Sequence, residues 1–158
     1  MEKDDYYFMN LAIEESKKSI AEGGIPIGSI LVIDNEIVGR GHNKMIQKNS
    51  PILHGELDAI NNAGRLNSKD YEKSTLYTTL SPCPMCSGAI IMYNIPKVVI
   101  GDNKTLKGAE NLLKKNGVEV LVLNFEKIKT LFNEFNEKYP DLWKKELERV
   151  GNSTELEI

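Results

Sequence analysis

Thr75-Leu76-Tyr77-Thr78-Thr79-Leu80-Ser81-Pro82-Cys83-Pro84-Met85-Cys86-Ser87-Gly88-Ala89-Ile90-Ile91-Met92-Tyr93 is the stretch on which the fold turns. Its first six residues, rich in threonine and carrying a tyrosine, read as a strand over 75–80. Ser81-Pro82 breaks that strand. From Cys83 to Tyr93 the pattern is helical and strongly apolar on its later turns. Pro82 and Pro84 have no N–H to satisfy, which suits the first turn of a helix and stiffens the loop before it. Val98-Val99-Ile100 then reads as a short buried strand, so the stretch is a strand–helix–strand unit. Two such strands lie parallel, joined by a right-handed crossover.

Further along, Ala109 to Lys115 reads as a helix stopped by Asn116-Gly117, and Val118 to Leu123 as another buried strand. Two helices follow, about Glu126 to Lys138 and Asp141 to Val150, with Pro140 starting the second. Toward the N-terminus, Asp4 to Glu22 is amphipathic, with Phe8, Leu11 and Ala12 at helical spacing and Gly23-Gly24 as its stop. Ile27 to Ile33 is a β-branched run, and the turn Asp34-Asn35-Glu36 separates it from Ile37-Val38, which makes a hairpin. His54 to Ala63 is a helix ended by Gly64. The expected fold is α/β: a five-stranded mixed sheet with helices on both faces, in a single domain over 1–150. Residues 151–158 are expected to form a flexible tail.

The 158 residues, 41% hydrophobic and 27% charged, suit one ordinary globular domain. No apolar run reaches the length that crosses a bilayer, so no membrane partner is expected. The acidic start Met1-Glu2-Lys3-Asp4-Asp5 does not read as a secretory signal, and the expected location is the cytoplasm. A net charge of −3 is not the basic field by which proteins gather phosphates, which argues against a nucleic-acid partner.

The two cysteines, Cys83 and Cys86, are too few for a disulfide framework. They stand three apart at a helix start, where one turn aims both sulfurs at one point and the helix dipole favours thiolates. His54-Gly55-Glu56 sits at another loop-to-helix junction. Two thiolates and one imidazole match zinc, and three protein ligands leave the fourth tetrahedral position open, as catalytic sites do. Glu56, two residues past His54, can then move protons without binding the metal. Two blander readings compete. A Cys-x-x-Cys pair can be a redox couple, but that gives His-x-Glu no role. A structural zinc needs a fourth ligand, and only His42 is left to offer one.

His-x-Glu followed by Pro-Cys-x-x-Cys is the signature of the zinc nucleobase deaminases. The chain resembles the cytidine-deaminase superfamily and, within it, the fungal-type cytosine deaminases. The likeness runs through Glu22-Gly23-Gly24-Ile25-Pro26-Ile27-Gly28, Gly39-Arg40-Gly41-His42-Asn43, Thr75 to Cys83, Met85-Cys86, Gly88 to Tyr93 and Ile95-Pro96. The resemblance implies a three-layer α/β/α sandwich and a homodimer. It implies one zinc ion per chain on His54, Cys83 and Cys86, with Glu56 as proton shuttle. It also implies that Asn43 and the Gly55 N–H hold the polar edge of the base, that the Ser81 carbonyl faces the departing amino group, and that Ile27 belongs to the pocket. Trp143 on the last helix would cover the base. Without the resemblance, Asn43 reads as a turn former, Trp143 as core, and Glu146 as part of a solvated face with Lys144, Lys145 and Glu148.

Departures from the family fall at the rim. Leu106 stands where the fungal enzymes carry Phe, Glu146 where they carry an Asp that contacts the base, and Leu147 where they carry Ile. The expected reaction is hydrolysis of free cytosine to uracil and ammonia. The alternatives are deamination of another small base such as isocytosine or guanine, tRNA adenosine deamination, and a zinc module without catalysis.

Overall fold

A computed structural model describes residues 3–150. The expected tail, 151–158, lies outside the described residues. Helix α1 (Asp5–Ala21) begins at Asp4, whose side chain accepts the Tyr7 N–H at 2.8 Å. Strands β1 (Gly28–Ile33) and β2 (Glu36–His42) form the hairpin. Its loop is only Asp34-Asn35, with φ of 48° and 67°, the left-handed pair that two-residue hairpins require. Glu36, expected in the turn, already pairs with Ile33. β2 runs past Val38 to His42, with one extra residue opposite the Leu31–Val32 step.

After the short helix α2 (Met45–Lys48), α3 (Gly55–Ala63) and the short α4 (Ser68–Tyr71) lead to β3 (Ser74–Leu80). Helix α5 (Pro84–Met92), strand β4 (Lys97–Asp102), helix α6 (Glu110–Lys115) and strand β5 (Glu119–Val122) follow, and α7 (Glu126–Lys138) and α8 (Pro140–Val150) close the order. The sequence reading did not include α2 and α4, each of four residues.

The sheet order is β2-β1-β3-β4-β5. β1 is antiparallel to both neighbours, while β3, β4 and β5 are parallel, as expected. Successive strand residues alternate between two cores. Ile30, Val32, Tyr77 and Val99 pack with Phe8, Met9 and Ala12 of α1 and Ile128 and Phe132 of α7. Leu31, Leu76, Val98 and Ile100 pack with Ala59 and Ile60 of α3, Ile90 of α5 and Leu113 of α6. The layers are therefore helix, sheet, helix. On the second face α3 comes so close that a Cβ on Gly41 would lie 2.2 Å from the Ala59 nitrogen.

This topology decides where a site can be. β2, β3 and β4 all run the same way, so their C-terminal ends share one edge, where β1 begins. In open α/β sheets ligands bind beyond that edge.

Candidate active site

Two helix starts meet there. His54 is the residue before α3 and Cys83 the residue before α5. The His54 side chain caps nothing, which leaves its imidazole free to turn inward. Cys83 Sγ accepts the Cys86 N–H at 3.4 Å, and Pro84, with no N–H, starts the helix. His54 Nδ1 lies 3.4 Å from Cys83 Sγ and 3.5 Å from Cys86 Sγ. The three donor atoms fall within 4.8 Å of one another.

That geometry fits zinc. Tetrahedral coordination at the usual Zn–S and Zn–N lengths puts sulfur and nitrogen ~3.6 Å apart. The three groups are also coupled electrostatically. The hydrogen bond from the Cys86 thiol holds Cys83 down at about 4; burial opposes this, and His54 assists. The same bond to Cys83, together with burial and the Glu56 charge, pushes Cys86 up. Burial works against the protonated His54 ring, but its bond to Cys83 and the charges of Glu56, Cys83 and Glu146 outweigh it and raise its pKa.

Glu56, the second residue of α3, is 4% exposed. Burial raises its carboxyl above the usual range, with His54 pulling the other way. A buried carboxyl beside His54 and the two cysteines is equipped to take up and release a proton.

These groups border a cavity of about 330 Å³, the low end of the range for small-molecule sites. Its wall takes His54, Glu56 and Cys83 from the metal side and Ile27, Asn43 and Ser81 from the strand ends. It takes Leu106 from the loop after β4, and Trp143 and Glu146 from α8. Cys86 and Gly55 are buried and are not among the residues of the wall. As the first residue of α3, Gly55 has an N–H with no carbonyl inside the helix to receive it.

Asn43 is fully buried. Its Oδ1 accepts the Met45 N–H at 3.1 Å, which orients the amide, and its Nδ2 is buried with no partner. It does form a turn, and it also leaves its amide nitrogen unpartnered at the cavity. The Ser81 hydroxyl is occupied, donating to Glu110 at 2.7 Å and accepting the Gly108 N–H at 2.8 Å. Those bonds bring the Leu106 loop against Ser81-Pro82, so closely that a Cβ on Gly108 would lie 2.0 Å from the Pro82 carbonyl oxygen.

Trp143 faces the cavity and also packs edge-on against Phe132 at 4.8 Å, so it serves as both wall and core. Glu146 is not on the solvated face with its lysine neighbours: it is 9% exposed, and Arg149 donates to it at 3.2 Å. Sequence reasoning missed Met45, Pro51 and Met85 in the wall, and Asp58, which accepts the His42 N–H and pairs with Lys44 to tie α3 to the end of β2. Asp58 sits four residues past His54, an ordinary helix position with no sequence signal of its own.

Residues 2–102 match the family model of the cytidine and deoxycytidylate deaminase zinc-binding region. The chain belongs to this family and is a zinc-dependent deaminase. It is 48% identical over 145 residues to the cytosine deaminase of Candida albicans, 91% of this chain and 97% of that one. To a tRNA-specific adenosine deaminase of Streptococcus pyogenes it is 43% identical over 113 residues, 70% of each chain. The solved guanine deaminase of Nitrosomonas europaea shares the fold with a TM-score of 0.69, at 17% identity and 87% coverage of both chains.

Proposed function

We propose that the chain hydrolyses free cytosine to uracil and ammonia, with Glu56 as the catalytic proton carrier. One observation carries the choice of base. Helix α8 walls one side of the small cavity with Trp143 and the buried Glu146, beyond the part of the chain that the family model covers. The near-full-length likeness to a cytosine deaminase supports the same reading.

His54, Cys83 and Cys86 would hold the zinc ion, which would supply Lewis-acid activation of a water near neutral pH. Asn43 Nδ2 and the Gly55 N–H donate to the ring carbonyl oxygen. Glu146 accepts from N1–H, and the Ser81 carbonyl accepts from the exocyclic amino group. Trp143, Leu106 and Ile27 enclose the ring and keep bulk water out. Glu56 takes a proton from the attacking water and passes it to N3, then takes the second proton from the hydroxyl on C4 and delivers it to the amino nitrogen as the C4–N bond breaks. Water and cytosine become uracil and ammonia.

The exposed apolar side chains of Ile52, Met85, Met92 and Tyr93 support work as a homodimer. The acidic pI of about 5.5 and a cysteine pair kept for metal support a cytoplasmic setting without nucleic acid. No helix among the described residues is long and apolar enough to cross a membrane.

An ammonia-release screen over cytosine, isocytosine, guanine, adenine and cytidine tests the assignment. Cytosine is expected to be fastest; a higher rate with guanine or isocytosine would move the enzyme to a neighbouring specificity.

A further inference from the structure

We propose that Gln47 is a positioning residue: its side-chain amide fixes the backbone from which Asn43 presents Nδ2 to the base. This rests on the reading of Asn43 as a base contact.

The stretch Glu22 to Gly28 reaches the cavity only through Ile27, yet its Gly24 shapes a slot behind the site. A Cβ on Gly24 would fall 2.2 Å from Gln47 Nε2 and 2.5 Å from both Cδ and Oε1. The Gln47 amide therefore lies flat on Gly24, in a slot that only a glycine leaves open. From there Nε2 donates to the Asn43 carbonyl at 2.9 Å and reaches Ser19 Oγ at 3.0 Å, with Glu22 at the outer limit of 3.4 Å. Ser19 Oγ donates to the same Asn43 carbonyl at 2.8 Å. Gln47 thus links α2 to the last turn of α1 across the residue that matters.

With these bonds Asn43 is fixed at every polar atom but one. Its N–H donates to the Ile27 carbonyl at 2.9 Å, its carbonyl takes two donors, and its Oδ1 takes the Met45 N–H. Only Nδ2, buried at the cavity, is unpartnered. Gln47 Oε1 is itself buried without a partner. A residue serving packing alone would fill this slot better as an apolar chain of the same length, because an unsatisfied buried acceptor is costly. The amide's donors are what the site uses.

The test is Gln47→Met, which keeps length and bulk and removes both donors, measured alone and with Asn43→Ala. The readout is kcat and KM for whichever base the zinc-loaded parent deaminates fastest. Gln47→Met is expected to keep its zinc and lower kcat/KM by about tenfold through KM, with kcat within about threefold. In the Asn43→Ala background it should cost nothing further. An unchanged kcat/KM in Gln47→Met, or the same loss in both backgrounds, overturns the proposal. If Asn43→Ala itself equals the parent, the base contact fails and takes the proposal with it. If Asn43→Ala is impaired and Gln47→Met is not, only the positioning role fails. Where Gln47→Met does not fold, Gly24→Ala expels the amide from its slot and is expected to give the same rise in KM; a parental KM there overturns the proposal equally.

Discussion

The two walls of the cavity are built in different ways. On one side, His54 and Cys83 stand at the starts of α3 and α5, with Cys86 fully buried and Glu56 4% exposed. Each is held by elements that pack on the central sheet. On the other side, Leu106 hangs on the loop after β4, and Trp143 and Glu146 come from α8, which packs mainly against α7. The first wall lies within the 2–102 match to the family and the second beyond it. The difference teaches a division of labour. The proposed function gives the sheet-anchored wall the reaction, hydrolysis at an amino-bearing carbon, and gives the α8 wall the choice of base.

Breaking the first wall should have the largest effect. Cys86→Ala is expected to lose zinc and all measurable turnover, because a fully buried ligand cannot be replaced by solvent. Elemental analysis checks this, and full metal retention would remove Cys86 from the site. Glu56→Gln should keep zinc and fold but lower kcat by about 10² to 10⁴, since the amide is close in shape yet cannot carry a proton. Turnover within a few-fold of the parent would remove Glu56 from the proton path. The second wall should respond more gently and in a different quantity. Glu146→Ala is expected to leave zinc untouched and to shrink the preference for cytosine over cytidine by about tenfold or more, through loss of the N1–H acceptor. A preference that stays at the parental value would separate Glu146 from base recognition.

The same contrast explains what could be read in advance. The metal wall was legible because its residues are close in sequence and chemically rare: Cys83 and Cys86 on one turn, His54 two residues from Glu56. β3, β4 and β5 were legible from apolar runs bounded by turns. The full length of β2 was not, since Gly39, Arg40 and Gly41 are poor strand formers. They are tolerated because α3 packs directly on the two glycines, a tertiary reason invisible to local pattern. Glu146 reads from sequence alone as one more charge on an exposed helix; only the placement of α8 over the cavity buries it. The hold on Asn43 by Ser19, which lies 24 residues away in the chain, has no sequence signature at all.

The central claim is that a wall made by α8 restricts the site to a free base. Side-by-side kcat/KM values for cytosine and cytidine test it most directly. A ribose on N1 would have to pass Trp143 and would deny Glu146 the N1–H donor that a free base offers beside Arg149, and sites that demand such a donor discriminate by ~10⁴ or more. The expected result is cytosine ahead by a factor of that order. Equal values, or cytidine ahead, would contradict the account and mean that α8 does not close the site.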